Sequence, residues 1–493
     1  MTAHISSTDL LDRFSASLAG PDCLNRLRAG VIGEGVALPG PSGPRPMIYA
    51  DYVASGRALQ QVEDFVLNEV LPYYANSHTE ASYCGSFMTR LRNSARQTIA
   101  RICGADDRFA TVFTGSGATA GLNRLVHLLG VSEALASGQA PLVILGPYEH
   151  HSNILPWRES GAEVVEIAEA AEGGPDMAAL EAILSAERGE DGQAKRLIIG
   201  AFSAASNVTG IVTDTDVVSR MLRRFDARVV WDYAGGGPYL PMDMAAGTDA
   251  EKDAIVFSVH KFLGGPGASG VMILRKDAVK SARPTLPGGG TVKFVSPWRH
   301  DYADDIAARE EAGTPNVVGD IRAALCLLVK EAMGQAFMLK RQEELRQRAL
   351  AAWKDLPNLQ ILGNPNAAQK LPIFSFQVTD PETGAPIHQQ LFTRMLSDHY
   401  GVQARGGCAC AGPYAHRLLE IDQTQSTQMR AAILGGQEIE KPGWTRLNFS
   451  ATLSDEKADA IIHAVSELVR DPQRFCDDYN VDVATARFAP KVA

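Results

Sequence analysis

The stretch Ser258-Val259-His260-Lys261-Phe262-Leu263-Gly264-Gly265 places one lysine shortly after an apolar run and just before a pair of glycines. The apolar run, residues 254–257, predicts a buried strand. The glycines allow a sharp turn and a close approach of the backbone to a flat ligand. Lys261 is therefore a candidate nucleophile whose amine condenses with an aldehyde to form a Schiff base. A surface lysine beside a glycine-rich turn has the same local pattern, so other segments must distinguish the two.

An aspartate upstream makes that distinction. Asp232 ends another strand-like segment, Val229-Val230-Trp231-Asp232. Pyridoxal phosphate withdraws electrons only while its ring nitrogen is protonated, and a carboxylate paired with that nitrogen keeps the proton in place. Asp232 and Lys261 supply the two protein groups that this cofactor requires. Together they predict pyridoxal 5′-phosphate as the cofactor.

A third segment predicts a site for the phosphate group. Thr114-Gly115-Ser116-Gly117-Ala118-Thr119 lies between a strand-like run that ends at Phe113 and a helix-like run, residues 121–129. Backbone N–H groups at a helix N-terminus bind dianions, and the Thr119 hydroxyl adds a donor. By itself such a turn is typical of any capped helix. The predicted phosphate ligands are Gly117, Ala118, Thr119, Ser258 and His260.

These segments resemble the class V aminotransferase superfamily of fold-type I pyridoxal-phosphate enzymes, and within it the group II cysteine desulfurases and selenocysteine lyases. The resemblance extends from about Tyr49 to about Val469. It rests on further segments in family order and at family-like spacing: Glu149-His150-His151-Ser152-Asn153-Ile154-Leu155-Pro156-Trp157, Ser206-Asn207-Val208-Thr209-Gly210, Glu311-Ala312-Gly313-Thr314-Pro315-Asn316, Arg405-Gly406-Gly407-Cys408-Ala409-Cys410-Ala411-Gly412-Pro413 and Thr445-Arg446-Leu447-Asn448-Phe449-Ser450.

The resemblance implies roles for residues outside the first three segments. His150 would stack on the cofactor ring and move protons, and Asn207 would lie beside the ring oxygen. Arg446 would bind the substrate carboxylate, with Arg405 and Asn207 completing the substrate site. The family also implies a homodimer, in which Thr291 of the run Gly288-Gly289-Gly290-Thr291 would complete the neighbour's phosphate site.

Cys410 carries the reaction that the resemblance implies. A thiolate on a mobile loop would attack the substrate sulfur, leaving a persulfide on Cys410 and releasing alanine from L-cysteine, or from selenocysteine with transfer of selenium. Arg405 and His416 would favour the charged thiolate. A protein that accepts the sulfur is then an expected partner. Cys-x-Cys without a second pair is a poor zinc signature, so no metal is expected. The alternative, that these cysteines are ordinary buried residues, is opposed by Gly406, Gly407 and Gly412, which indicate an exposed loop.

Three departures from the family pattern keep other reactions open. Gly235 stands where the family has a glutamine, and Tyr239 where it often has a histidine. Cys408 and Ala409 replace a histidine pair, which makes the loop similar to that of the molybdenum-cofactor sulfurases. Cys408 could resolve a Cys410 persulfide or relay its sulfur. An aminotransferase or a C–S lyase that needs no persulfide remains the alternative, because fold alone does not select the reaction. A relative without catalysis would be expected to lack Lys261 or Asp232.

Composition indicates a cytoplasmic enzyme. The 493 residues carry a formal net charge of −10, which disfavours nucleic-acid binding. The seven cysteines are scattered and odd in number, a pattern typical of a reducing compartment. No apolar run approaches membrane-spanning length, so no membrane partner is expected. The first residues lack the basic and apolar regions of a secretory signal.

Strand-like and helical runs alternate along most of the chain. This alternation predicts an α/β fold with a mostly parallel sheet covered by helices on both faces. The resemblance specifies fold type I: a large cofactor-binding domain with a mostly parallel seven-stranded sheet, and a smaller α+β C-terminal domain. We expect an N-terminal extension at residues 1–46 that packs near the small domain, the large domain at 47–320, and a linking helix with the small domain at 321–493. The linking helix is expected at residues 320–353, and a strand at residues 373–378.

Overall fold

The computed structural model describes residues 7–77 and 79–491, so the first six residues of the expected extension and the last two of the expected small domain lie outside it. Up to the end of the large sheet, the elements are α1 (Ser7–Leu18), α2 (Cys23–Ala29), β1 (Ala37–Leu38), β2 (Arg45–Pro46), β3 (Ile48–Tyr49), α3 (Gln60–Phe65), α4 (Tyr83–Ile102), β4 (Phe109–Gly115), α5 (Gly117–Leu128), α6 (Val131–Ala136), β5 (Leu142–Leu145), α7 (Leu155–Glu159), β6 (Glu163–Glu166), α8 (Met177–Ala186), β7 (Ile198–Ser203), α9 (Thr215–Arg224), β8 (Arg228–Asp232), β9 (Ala254–Phe257) and β10 (Gly270–Arg275). The following elements are β11 (Val292–Val295), β12 (His300–Tyr302), α10 (Ile306–Glu310), α11 (Val317–Met333), α12 (Gln335–Trp353), β13 (Leu359–Ile361), β14 (Ile373–Thr379), β15 (Pro386–Ile387), α13 (Gln389–Tyr400), β16 (Val402–Gln403), β17 (Arg405–Gly407), α14 (Gly412–Leu418), α15 (Gln423–Leu434), β18 (Trp444–Asn448), α16 (Asp455–Arg470), β19 (Tyr479–Asp482) and β20 (Arg487–Pro490).

The large sheet has seven strands in the order β4-β10-β9-β8-β7-β5-β6. Strands β6, β5, β7, β8 and β9 pair in parallel, and only β10 runs antiparallel to its two neighbours, β9 and β4. The expected mostly parallel seven-stranded sheet is confirmed. Because β5, β7, β8 and β9 are parallel neighbours, their carboxyl ends meet at one edge, where open α/β sheets bind their ligands.

Helices cover both faces of this sheet. In β5, Leu142 and Ile144 belong to the apolar cluster shared with α4, α8, α9 and α11. Val143 and Leu145 point the opposite way, into the cluster shared with α5 and α7. All four side chains are buried, as expected for a strand with helices on both sides.

Capping aspartates fix where two of the covering helices begin. The side chain of Asp176 accepts hydrogen bonds from the first-turn amides of α8, and Asp214 does the same for α9, each with distances of 3.0 to 3.1 Å. Such N-caps satisfy amides that have no partner within the helix. Each cap therefore fixes the residue at which its helix begins, through contacts within the first turn.

The expected linking helix at residues 320–353 is two helices rather than one. Gly334, with φ +80°, separates α11 from α12. A positive φ interrupts the helical path and is accessible to glycine without steric cost. As a result α11 stays within the core of the large sheet, whereas α12 packs against α16 in the C-terminal region.

The C-terminal region is built on a separate antiparallel sheet in the order β13-β14-β18-β17, with β15 beside β14. The expected strand at 373–378 is confirmed as β14, one residue longer than predicted. These separate sheets support our proposal of a large domain at 47–320 and a linking segment with a small domain at 321–493. In the extension, α1 packs on α4 and α11, while Arg28 donates to Thr452 O of the small domain at 2.9 Å. Within the described ranges, no helix is long and apolar enough to cross a membrane.

Candidate active site

A cavity of about 210 Å³ opens at the carboxyl edge of the large sheet. Loops that follow β4, β5, β7, β8 and β9 form its walls. Eight side chains or backbone segments that the sequence predicts for the cofactor site line this cavity: Ala118, Thr119, His150, Asn207, Asp232, Ser258, His260 and Lys261. The structure thus brings together residues that are up to 143 positions apart in the chain, from 118 to 261.

Lys261 lies in a short 3₁₀ turn, Val259–Lys261, directly after β9. Burial of the amine lowers its pKa to about 8, with a smaller raising effect from Asp232 and further lowering from the cations Arg446 and Arg405. About a tenth of the amine is therefore unprotonated at pH 7, far more than for a lysine with an ordinary pKa. This is the form that attacks a carbonyl group.

Asp232 is the last residue of β8 and is only 3% exposed. Its Oδ1 accepts a hydrogen bond from Ala234 N at 2.7 Å. Burial still raises the pKa of Asp232, because that bond and the charge of Lys261 offset only part of the desolvation. A buried cationic partner would complete the stabilisation of this carboxylate.

His150 follows β5 and lines the cavity, and a hydrogen bond fixes the orientation of its ring. Its Nδ1 accepts a hydrogen bond from Ser152 N at 3.1 Å, so the neutral ring carries its hydrogen on Nε2. Burial lowers the pKa of His150 to about 4, and the charge of Lys261 adds to this effect. The ring therefore remains neutral across the physiological range.

The start of α5 is the segment for which the sequence predicts a phosphate cup. Ala118 N donates to Ser258 Oγ at 2.9 Å, and the Thr119 hydroxyl is bonded to Ser152 Oγ at 2.7 Å. Gly117 has φ +64°, and a Cβ there would lie 2.7 Å from Ser258 Oγ. Glycine is thus required for both the backbone angle and the close approach. The cup combines backbone amides, hydroxyls and the positive end of a helix dipole.

These features fit pyridoxal phosphate. The cup offers donors for a phosphate, and the desolvated Asp232 calls for a protonated ring nitrogen. Lys261 presents an amine whose lowered pKa increases the fraction that can condense with an aldehyde. Over the described part of the chain, no group of three or more His, Cys, Asp or Glu residues could hold a metal ion.

The loop that carries Cys410 is bonded to two loops of the large domain. His151 N donates to Cys410 O at 2.9 Å, and His151 Nε2 accepts from Gly412 N at 2.8 Å. Asn207 Nδ2 donates to Ala409 O at 2.9 Å. Because Asn207 also lines the cavity, these three bonds hold residues 409–412 close to its mouth.

Residues 408–411 form a left-handed turn. Ala411 N donates to Cys408 O at 3.3 Å, while Ala409 and Cys410 have φ values of +51° and +55°. Each non-glycine residue in this region costs about 1–2 kcal/mol, which the bonds from His151 and Asn207 help to offset. Cys410 is exposed, whereas Cys408 is half-buried against an aromatic cluster that includes Tyr148, Tyr414 and Trp444.

The two cations expected beside the Cys410 thiolate have other partners. Arg405 Nε donates to Asp51 Oδ2 at 2.9 Å. The His416 ring contacts Gly412 O and Ser426 Oγ, both at 2.8 Å. Their proximity to the thiolate in a substrate complex stays a prediction.

Arg446 lies in β18 and contacts the backbone of Asn207. Its Nη1 donates to Asn207 O at 2.9 Å and its Nη2 to Asp51 Oδ1 at 3.0 Å. The guanidinium is 3% exposed, and burial lowers its pKa more than Asp51 raises it. Among the described residues, the Nε–H of Arg446 has no hydrogen-bond partner. A free, buried donor on a cation is suited to a carboxylate.

The two substitutions noted in the sequence differ in position. Gly235 lines the cavity, and a Cβ there would lie 3.5 Å from the Cβ of Asn207. The nearest atom to that Cβ would be Ala205 O at 3.2 Å, so a side chain at this position would require a small shift of its surroundings. Tyr239 is buried outside the cavity lining, and its hydroxyl accepts from Asn448 Nδ2 at 2.9 Å. This bond connects Tyr239 to β18, the strand that also contains Arg446.

Thr291 lies away from the cavity of its own chain, just before the β11–β12 hairpin. It is buried, and its hydroxyl donates to Gly288 O at 2.7 Å. Its contribution to a neighbouring subunit stays a prediction.

Asp51, His151 and Ser152 are polar contacts of the site to which sequence reasoning assigns no role. His151 and Ser152 lie in the segment that contains His150, so the motif itself was the available signal. Asp51 follows β3 and has no local signal, because its partners Arg405 and Arg446 are 354 and 395 residues away.

We expect His151→Leu to slow sulfur transfer to Cys410 by about tenfold without loss of cofactor. Leucine removes the acceptor of the half-buried Gly412 N–H, and losing such a hydrogen bond costs about 1 kcal/mol. Burial lowers the pKa of His151, so the wild-type ring remains an acceptor at neutral pH. Single-turnover mass spectrometry of the Cys410 peptide measures the rate.

The matched control is His151→Gln, whose side-chain oxygen can replace Nε2 as the acceptor and should restore most of the rate. Iodoacetamide should alkylate Cys410 faster in His151→Leu than in the wild type or in His151→Gln. Equal transfer rates in wild type and His151→Leu would show that the ring does not position the loop.

Comparison with known proteins identifies the family of the chain. Residues 48–435 match the family model "Aminotransferase class-V". The chain is 25% identical over 376 residues to a probable cysteine desulfurase of Streptomyces coelicolor, covering 75% of this chain and 85% of that protein. It is 29% identical over 373 residues to a probable cysteine desulfurase of Vibrio cholerae, with the same two coverages, 75% and 85%.

Solved structures show the same fold. A cysteine desulfurase from Thermococcus onnurineus superposes with a TM-score of 0.69 at 24% identity, covering 86% of this chain and 95% of that one. The cysteine desulfurase CsdA of Escherichia coli gives a TM-score of 0.68 at 22% identity, covering 91% and 98%. At these identities the likeness is one of fold.

Proposed function

The chain belongs to the class V aminotransferase family, and from this premise we propose that it is a cysteine desulfurase-like enzyme dependent on pyridoxal phosphate. It would take sulfur from L-cysteine, or selenium from selenocysteine, and yield alanine and a persulfide on Cys410. One observation carries the proposal: Asn207 both lines the cavity with Lys261 and Asp232 and bonds to the loop of Cys410. This bond to Ala409 supports a role for the neighbouring Cys410 thiol at the place where the substrate would react.

The cavity residues would divide the cofactor between them. The cup at Gly117, Ala118 and Thr119, with Ser258 and His260, would hold the phosphate. Asp232 would pair with the ring nitrogen, His150 would lie against the ring, and Asn207 would lie beside its oxygen. When bound, pyridoxal phosphate supplies an electron sink for bonds broken at the substrate carbons.

The chain's own groups would handle the protons and the sulfur. Arg446 would bind the substrate carboxylate through its free Nε–H, with Arg405 and Asn207 beside it. The amine of Lys261, with its lowered pKa, would take the proton from Cα. The Cys410 thiolate would then attack the substrate sulfur. The bond between this sulfur and the carbon skeleton would break, its electron pair would remain on the carbon skeleton, and the sulfur would stay on Cys410 as a persulfide.

The lack of a side chain at Gly235 favours one second candidate, an aminotransferase or C–S lyase that uses no persulfide. Gly235 lines the cavity without a side chain, so the family's glutamine donor is missing and a water or a different substrate group would take its part. A lyase would release pyruvate and ammonia from cysteine. An aminotransferase would require an α-keto acid acceptor.

Purified holoenzyme with L-cysteine distinguishes these reactions. We would follow alanine and sulfide with a reductant present, and the mass of the peptide containing Cys408 and Cys410 without one. Alanine together with a peptide heavier by one sulfur atom supports the proposal. Pyruvate and ammonia, or no turnover with cysteine and selenocysteine, would instead support the second candidate.

We also propose a homodimer assembled through the β11–β12 hairpin. Phe294, Val295 and Trp298 are 49%, 63% and 89% exposed, a concentration of apolar surface that is typical of an interface. Trp298→Asp with Val295→Asp should convert most dimer to monomer at micromolar concentration in sedimentation velocity. Leu434→Asp, at an equally exposed apolar residue elsewhere, is the control. A dimer that survives the hairpin variant would place the interface on another surface.

A protein that accepts sulfur and a cytoplasmic location complete the proposal. The exposure of Cys410 supports transfer to another protein. All seven cysteines are free thiols in the structure, as a reducing compartment would keep them. Cell fractionation with an antibody to the chain tests the location, and a label transferred from persulfidated Cys410 tests the acceptor.

A further inference from the structure

We infer that Asp51 is a specificity-determining residue, which restricts the substrate site to amino acids with a single carboxylate. It does so by neutralising one of two paired arginines: Arg446, which contacts the cavity residue Asn207, and Arg405, which lies opposite Arg446 in the small-domain sheet. The inference rests on the proposed function, because it takes Arg446 as the group that binds the substrate carboxylate.

The two arginines are forced together by the small-domain sheet. In the antiparallel pair of β17 and β18, Arg405 is directly opposite Arg446. Side chains opposite each other in such a pair share one face of the sheet, and two like charges there are destabilising. Arg446 is buried and Arg405 is about half exposed. The sheet therefore creates a site with two positive charges.

Asp51 lies between these two charges. Its Oδ1 accepts from Arg446 Nη2 at 3.0 Å and its Oδ2 from Arg405 Nε at 2.9 Å. The carboxylate belongs to neither strand and is 8% exposed. One anion thus binds both guanidinium groups and reduces their combined charge from two to one.

The backbone around Asp51 is fixed to both neighbouring strand ends. Ala50 N donates to Gln403 O at 3.0 Å, and Ala50 O accepts from Asn448 N at 2.8 Å. Val53 N donates to Asn448 Oδ1 at 3.1 Å. These bonds lie on each side of Asp51 in the sequence, so they fix the position of its backbone relative to the two strand ends.

The remaining charge suits one carboxylate. Arg446 keeps its unpartnered Nε–H within the described structure, and the net charge of the three groups is +1. A substrate with one carboxylate balances this charge. A substrate with a second acidic group would bring an extra negative charge toward Asp51, without a free cation to receive it.

The test is calorimetric binding of L-alanine and L-aspartate to the holoenzyme, since the two ligands differ by one carboxylate. Asp51→Asn keeps the shape of the side chain and removes its charge. We expect L-aspartate to bind at least about tenfold more tightly to Asp51→Asn than to the wild type, while the Kd of L-alanine changes less than about threefold. An equal change for both ligands, or no change, overturns the inference.

Arg405→Gln provides a second variant. It brings the net charge near zero and should weaken L-alanine binding by about tenfold. The double variant Asp51→Asn with Arg405→Gln should lose the gain in L-aspartate affinity, because the extra cation is gone. A gain that persists in the double variant would contradict the charge argument.

Binding is read without turnover, so the two proposals can fail separately. Loss of cysteine desulfurization with an intact shift toward L-aspartate would sink the proposed function alone. Normal desulfurization without that shift would sink the role of Asp51 alone.

Discussion

Lys261→Ala should lower turnover at least about a thousandfold and remove the visible absorbance of cofactor joined to the protein. The variant loses both the amine that attaches the cofactor and the base that takes the substrate proton, and positioned acid–base groups alone contribute about 10²–10⁴-fold. Absorbance spectra and alanine production measure the two losses. Lys252→Met is the control, since Lys252 is a buried lysine that pairs with Asp216 outside the cavity.

The pH dependence of cofactor attachment tests the same lysine. Burial lowers the pKa of Lys261 to about 8, so the reactive, unprotonated fraction grows about tenfold per pH unit below 8 and is nearly complete above it. The rate at which apoprotein takes up pyridoxal phosphate should rise up to about pH 8 and then level off. A rate that keeps rising to pH 10 would indicate a lysine with an ordinary pKa.

Cys410→Ala should retain the cofactor absorbance and lower persulfide formation and alanine release at least about a hundredfold. The variant keeps the cavity intact, because the bond between His151 N and residue 410 uses only the backbone. It removes the atom that receives the sulfur. Stopped-flow absorbance after mixing with L-cysteine and mass spectrometry of the loop peptide report the two effects.

Cys408→Ala is the control within the same loop. Cys408 is half-buried against aromatic side chains, so we expect this variant to form the Cys410 persulfide at nearly the wild-type rate. Slower release of sulfide from Cys408→Ala would indicate that Cys408 resolves the persulfide. Full sulfur release by Cys410→Ala would contradict a persulfide on Cys410 and favour a lyase.

The structure brings together those predicted site residues that follow a local sequence pattern. Asp232 is the last residue of β8, and Ser258 directly follows β9. Parallel strands bring their carboxyl ends to one edge of the sheet. Lys261 follows in the turn after the same strand. A local sequence pattern is enough to place such residues together, because the fold class fixes how strands align.

Asp51 and the break at Gly334 illustrate what local patterns miss. Asp51 contacts its arginines only because the small domain packs against the segment after β3, and this contact spans more than 350 residues. Gly334 lies between two helical patterns that continue on either side, so periodicity alone does not reveal the change of direction. Tertiary packing decides both features.

Asn207 gives the site a form of thermodynamic linkage. Its backbone carbonyl oxygen accepts from Arg446 Nη1, while its side-chain nitrogen donates to Ala409 O in the turn that contains Cys410. A ligand that shifts the arginine thereby changes the free energy of the thiol loop, and a change in the loop alters ligand affinity by the same amount. Substitutions at the two ends should be non-additive. The enzyme would then recognise its substrate and ready its thiol as a single cooperative event.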